Sequence, residues 1–186
     1  MPRFVGHIRE EATRLVTLVE DIIRLSQLDE QTELQKENVS IYEIAKEVCG
    51  VLRDGADKKD IELLVSGDSG NISGVNHLIF EVIYNLCDNS IKYTPDGGKV
   101  DISVSETEKE VTLTVSDNGI GIASEHHARI FERFYRVDKS HSKKSGGTGL
   151  GLSIVKHAVQ YHGGKISIQS EENKGTAITV VFPKSE

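Results

Sequence analysis

The sequence predicts an α+β fold, on three observations. Apolar residues recur at helical spacing over Val75 to Tyr93 and again behind Leu150. Two pairs of segments alternate apolar and polar residues with the period of a half-buried strand, and a short turn joins each pair. Between the pairs lies a glycine-rich run that opens directly into a helix.

From the N-terminus, Val5, Ile8, Ala12, Leu15, Val19, Ile22 and Ser26 recur by threes and fours, and all but the last are apolar. Leu18 and Leu25 widen the stripe, while Arg9, Glu10, Arg14, Glu20, Asp21 and Arg24 take the other faces. This is a heptad seam. One helix cannot bury such a seam alone, so pairing with a helix of a second chain is expected rather than docking on its own domain. A polar linker follows. Ser40 then opens a helix, with Glu43 completing a capping box and Ile41, Ile44, Ala45, Val48, Val51 and Leu52 on its apolar positions. Asp54 to Asp60 is expected to break that helix, Ile61 to Val65 to form a short strand, and Ser66 to Asn71 to turn.

In the helix over Val75 to Tyr93, Leu78, Ile79, Val82, Ile83, Leu86 and Ile91 form an apolar face. Glu81, Asn85, Asp88 or Asn89, and Lys92 form a polar row. A solvated face would explain the row, but solvated faces favour Glu and Lys, and asparagine in mid-helix opposes helix propensity. Side chains that oppose local structure mark sites. Asparagine oxygens suit a hard cation such as Mg²⁺, and Lys92 one turn on suits phosphate. The strand with Val100, Ile102 and Val104 follows, then the strand with Val111, Leu113 and Val115. The second runs into Asp117-Asn118-Gly119-Ile120-Gly121-Ile122, which is either a ligand contact or a plain turn.

Ser124 is expected to cap a short helix reaching Phe131, at the head of the aromatic and basic cluster Phe131-Glu132-Arg133-Phe134-Tyr135-Arg136. Val137 to Gly146 is polar and basic, and fits either a mobile lid over an anion or a surface loop. The last strands lie at Ile166 to Ile168 and Ala177 to Phe182, joined at Asn173-Lys174-Gly175.

The glycine run itself reads Ser145-Gly146-Gly147-Thr148-Gly149-Leu150-Gly151. The helix start behind it offers unpaired N–H groups and the positive end of a dipole, which suits phosphate; a turn ahead of an ordinary helix is the alternative. Two familiar phosphate loops are excluded. A P-loop needs Gly-Lys-Ser/Thr, and the Gly-Lys pairs here are followed by Val100 and Ile166. A dinucleotide fingerprint needs G-x-G-x-x-G behind a strand, whereas Gly147, Gly149 and Gly151 alternate behind basic, polar chain.

Composition narrows the classes. With 37% hydrophobic and 27% charged residues over 186 positions, a globular protein is expected. A net charge of -7 argues against a nucleic-acid partner. No apolar run approaches the roughly 20 residues of a membrane span, so no membrane contact is expected of this chain. Cys49 and Cys87 lack C-x-x-C spacing and are expected as buried free thiols. The histidines show no metal spacing, and the neighbours His126 and His127 would point apart on a helix.

These motifs, in this order, resemble the catalytic, ATP-binding portion of bacterial sensor histidine kinases. Asn85 to Thr94 resembles the asparagine box, Asp117 to Ile122 the first glycine box, Phe131 to Arg136 the phenylalanine box, and Gly147 to Leu152 the second glycine box. Gly175-Thr176 matches the last glycine motif, and residues 4 to 28 resemble the second helix of a dimerisation hairpin. The resemblance implies a Bergerat-type α/β sandwich, a mixed sheet covered by helices on one face, preceded by one long helix. It divides the chain into a partial hairpin over 1–30, a linker over 31–39 and a catalytic domain over 40–186.

By the same resemblance the cofactors are ATP and Mg²⁺. Asn89 would ligate the metal with Asn85 beside it, and Lys92 and Arg136 would meet the phosphates; Asn85, Lys92 and Arg136 are the expected catalytic positions. Tyr93 would lie near the nucleoside, and Asp117 would accept from the adenine amino group. Gly119 and Gly121 would admit the base, with Ile122 in the same box. Phe131, Gly147, Thr148, Gly149, Leu150, Gly151 and Thr176 complete the expected site. The implied partners are a response regulator and a second copy, joined through the dimerisation helices. The domain would be cytoplasmic and its parent a membrane protein.

One departure matters. The family's phosphoacceptor box, a His followed by an acidic residue with Thr-Pro or similar beyond, has no match here; His7 is followed by Ile8-Arg9-Glu10. The first hairpin helix is therefore expected on chain outside this sequence. Two alternatives stand beside the kinase reading. An ATP hydrolase of the same fold would carry Glu four residues before the metal-binding Asn, where this chain has Asn85. A nucleotide-binding switch without catalysis is the other.

Overall fold

The computed structural model describes residues 34–137 and 148–184, together with Ala12, Leu15, Val16, Val19 and Ile23. Those five are helical and exposed. Leu15, Val16, Val19 and Ile23 each show more than half of their surface, at 59%, 57%, 54% and 52%. The described part of the heptad seam is thus not covered by the rest of the chain. The other seam positions, Gly147 and most of the expected lid lie outside the described residues.

The order of elements is β1 (Glu37–Ser40), α1 (Ile41–Asp57), β2 (Glu62–Gly67), β3 (Asn71–Gly74), α2 (Asn76–Tyr93), β4 (Lys99–Glu106), β5 (Glu110–Asp117), a 3₁₀ turn (Ser124–His126), α3 (Gly151–Tyr161), β6 (Lys165–Glu171) and β7 (Gly175–Pro183). Five strands form one sheet in the order β2-β4-β5-β7-β6. The β2–β4 pair is parallel and the other pairs are antiparallel, so the sheet is mixed. The alternation read in the sequence sends Val100, Ile102, Val104, Val111, Leu113, Val115, Val180 and Phe182 into a core against Ile44, Val48, Ile79, Val82, Ile83, Leu86, Val155 and Val159 of the helices. The opposite face is hydroxyl-rich, with Thr114 and Thr179 paired at 3.2 Å across β5 and β7.

Three local expectations change. Ser40 does cap α1, its Oγ accepting from Glu43 N–H at 3.3 Å, but the helix runs through Asp57. Its acidic residues are exposed while Leu52 and Ala56 stay buried, so the apolar face carries the helix on until Asp60 takes φ 53°. Strand β1 forms where polar linker was expected and pairs with β3, which starts at the last residue of the expected turn, Asn71. Each contributes one buried apolar side chain, Val39 and Ile72, which is too little to register as alternation. The helix expected from Ser124 to Phe131 is only the 3₁₀ turn, preceded by Ala123 with no side-chain cap and followed by turns in which Ile130 is buried.

Both cysteines are buried and free, as expected. Burial pushes Cys49 up to about 11 and raises Cys87 as well, which leaves both as inert thiols.

His162 was not singled out by its sequence context, yet it joins two helices. Its Nδ1 lies 2.7 Å from Ala158 O on α3, and its Nε2 accepts from Val75 N–H, at the start of α2, at 2.9 Å. Those partners require the neutral ring with its proton on Nδ1. Burial is the main cause that lowers its pKa below 6.5, ahead of the opposing Ala158 carbonyl and the lowering charges of Lys36 and His77. The unfolded chain then binds the extra proton, so this group's stabilisation is complete above pH 6.5 and is lost as pH falls through the depressed value. The urea midpoint is expected to drop on acidification below pH 6.5, and to drop less steeply in His162→Gln. Equal slopes for the two proteins would refute the assignment.

Candidate functional site

The candidate site gathers at the C-terminal ends of α2 and β5. Asp117 is the last residue of β5 and is half-buried. Its Oδ1 accepts from the backbone N–H of Gly119 at 2.9 Å and of Thr176 at 3.2 Å, and its Oδ2 accepts from Ser90 Oγ at 2.9 Å. One carboxylate therefore ties β5 to β7 and α2. An ionised carboxylate has about two acceptor sites per oxygen, so Oδ1 is filled and Oδ2 keeps one.

The loop behind Asp117 is fastened along its length. Ile120 N–H donates to Tyr93 O at 3.1 Å, Ile122 N–H to Ser170 Oγ at 2.8 Å, and Asn173 N–H to Ile120 O at 2.7 Å. Gly121 holds φ 66°, and a Cβ there would fall 1.9 Å from Glu171 O. That glycine is required first by the protein's own packing. His127 Nε2 reaches Ile122 O at 2.9 Å, while His126 Nδ1 meets Tyr135 OH at 2.7 Å, so the two histidines do point apart.

On α2, Asn85 donates Nδ2–H to Glu81 O at 2.9 Å. A Cβ on Gly151 would lie 2.7 Å from Asn85 Oδ1, so α3 begins directly against this amide. Asn89 is half-buried one turn further on. Lys92 pairs with Asp88 one turn back, and Tyr93 is 45% exposed. The C-terminal end of the helix is secured by a residue the sequence reading missed. Lys59 Nζ donates to Ile91 O at 2.7 Å, to Lys92 O at 3.2 Å and to Thr94 O, placing a cation on the C-terminal carbonyls of α2. No local signal could reveal it, because its partners lie more than thirty positions away. Thr94 is buried, and among the described residues its Oγ1 is the one buried side-chain polar atom without a hydrogen-bond partner.

The phenylalanine and second glycine boxes also meet. Phe134 N–H donates to Gly149 O at 2.9 Å, with Phe134 at φ 63° and Gly149 at φ 77°. Phe131 and Arg136 are half-buried beside this contact in sequence. Thr148 Oγ1 accepts from Leu150 N–H at 3.3 Å, and Leu150 is buried with Ile154. Helix α3 starts at Gly151 with no side-chain cap, so its first N–H groups are not taken by a capping oxygen. The structure therefore joins Asn85 to Gly151, Asp117 to Gly119 and Thr176, and Phe134 to Gly149. Lys92 and Tyr93 are exposed at the end of α2. An open cleft lined by Lys36, Asn71 and Lys184 lies at the β1–β3 ribbon and shares no residue with this arrangement.

Residues 74–186 match the family described as Histidine kinase-, DNA gyrase B-, and HSP90-like ATPase. The chain belongs to this family. The sensor histidine kinase WalK of Bacillus subtilis (strain 168) is 36% identical over 198 residues, covering 100% of this chain and 31% of WalK. The crystal structure of full-length ShkA in complex with AMPPNP superposes with a TM-score of 0.82 at 26% identity, over 99% of this chain and 39% of ShkA. Histidine kinase ThkA in complex with the response regulator TrrA gives a TM-score of 0.77 at 25% identity, over 98% of this chain and 51% of that one. The chain thus spans about a third of WalK's length. Its mixed sheet and helices are those of histidine kinase catalytic domains, and it is an ATP-binding domain of the sensor histidine kinase type. No helix among the described residues is long and apolar enough to cross a membrane.

Proposed function

We propose that this histidine kinase-type ATPase domain binds ATP with Mg²⁺ and transfers the γ-phosphoryl group to a histidine on a separate dimerisation helix, for relay to an aspartate of a response regulator. The observation that carries the reading is Asn85. A hydrolase needs a base there to activate water, and an amide cannot take up a proton at neutral pH. Here its Nδ2–H is bound to Glu81 O, and its oxygen faces Gly151, where phosphate-binding amides begin. Positioning and charge stabilisation are what phosphoryl transfer demands of a protein.

The donor set fits the nucleotide. Asp117 offers an acceptor to an amino group. The uncapped start of α3 at Gly151, with Gly149 just ahead of it, offers amides to phosphate. Lys92 and Arg136 supply cations, and Tyr93 an aromatic face. Asn89 would hold Mg²⁺, whose chemistry is to neutralise charge on the phosphate oxygens. The AMPPNP bound to ShkA and the TrrA bound to ThkA support nucleotide and response regulator as the corresponding partners. Exposed Leu15, Val16, Val19 and Ile23 support pairing through the N-terminal helix. By likeness to sensor kinases, the parent is read as a membrane sensor with this domain in the cytoplasm.

Incubated with γ-labelled ATP, this chain is expected to form no acid-labile phosphohistidine by itself. Adding a separate hairpin that bears the parent's phosphoacceptor helix is expected to give labelling on that hairpin. Labelling of His7 in this chain alone, or rapid release of phosphate with no transfer, would overturn the reading.

A further inference from the structure

We propose that Ser90 is a positioning residue for base selection. It orients Asp117 and, with its proton held there, has no hydrogen to give to a base carbonyl. The proposal rests on the reading of Asp117 as the base contact. Ser90 is buried on α2, 8% exposed, and its Oγ lies 2.9 Å from Asp117 Oδ2. An ionised carboxylate only accepts, so the hydroxyl must donate its single hydrogen to it. The two backbone N–H groups hold Oδ1. A carboxylate turns softly about its last torsion, and Ser90 pins the second oxygen.

What then remains for a ligand is one lone pair of Asp117 Oδ2, and the Ser90 hydroxyl beside it has no hydrogen left to donate. An exocyclic amino group, with two N–H donors, is satisfied there. A carbonyl at the same place meets acceptors alone and is rejected. A serine free of Asp117 could swing its hydrogen to such a carbonyl; the Asp117 bond prevents it.

The test compares ATP with purine riboside 5′-triphosphate, which lacks the amino group, by calorimetry on wild type and Ser90→Ala. Alanine is favoured in a helix interior, so the variant is expected to fold. Ser90→Cys, close in volume but a weak donor, gives a second variant, and circular dichroism melts check both. Ser90→Ala is expected to weaken ATP roughly 3- to 10-fold, and to leave the purine analogue within about twofold. Equal losses for both nucleotides would make Ser90 a packing residue and overturn the proposal, as would unchanged ATP affinity. If wild type binds the two nucleotides alike, Asp117 does not read the amino group, and the proposal fails with that assignment rather than through Ser90.

Discussion

Asn89→Ala is expected to abolish magnesium-dependent ATP binding while leaving the domain folded. Asn89 is half-buried in the last turns of α2, four residues beyond Asn85 and three before Lys92. An asparagine in that place disfavours the helix, whereas alanine is the best helix former, so α2 has nothing to lose from the exchange. The loss falls on the metal. Replacing groups that merely support a metal ligand already costs about 10- to 100-fold in metal affinity. Removing the ligand itself is expected to lower ATP affinity by at least roughly 100-fold in magnesium. In excess chelator, wild type and variant should bind alike. Calorimetry with and without Mg²⁺ decides it, and unchanged affinity in magnesium would remove Asn89 from the site.

Asp117→Ala is expected to lose ATP by a different route and to weaken the fold as well. The contact with an amino group is charge-assisted, and losing it costs about 1.5–3 kcal/mol, or roughly 10- to 150-fold in affinity. The same change orphans the N–H groups of Gly119 and Thr176 and the hydroxyl of Ser90, so the melting temperature should fall too. Asp117→Asn separates the two effects. Its amide oxygen can keep Gly119 and Thr176, while its NH₂ replaces the oxygen that faced the base. That variant should stay folded, bind ATP poorly, and shift its preference toward GTP, whose carbonyl accepts. Normal ATP binding by Asp117→Asn would show that the carboxylate is structural alone.

Much of this was legible in the chain. Period two in Val100 to Ser105 and Val111 to Ser116 gave the central hairpin, because a sheet with one buried face leaves an alternation that no distant contact can erase. Period 3.6 gave α2 almost to its ends. Glycines and asparagines that cost local stability marked the candidate site for a related reason: a residue that opposes its own element is held there by something else. Short or polar elements were not legible. Strands β1 and β3 bury one apolar side chain each, and α1 continued past its run of acids because its inner face was still covered.

By itself, then, the sequence determined helix α2 and the β4–β5 hairpin and singled out the candidate residues for phosphate and cation, since periodicity and side-chain chemistry are properties of short stretches. Only the tertiary structure decided that Ser90, Gly119 and Thr176 share one carboxylate, that Asn85 faces Gly151, that Lys59 closes the end of α2, and that His162 locks α3 to the start of α2. Most of these contacts join residues dozens of positions apart. A hydrogen bond needs its partners within about 3 Å, and only packing brings such distant residues that close.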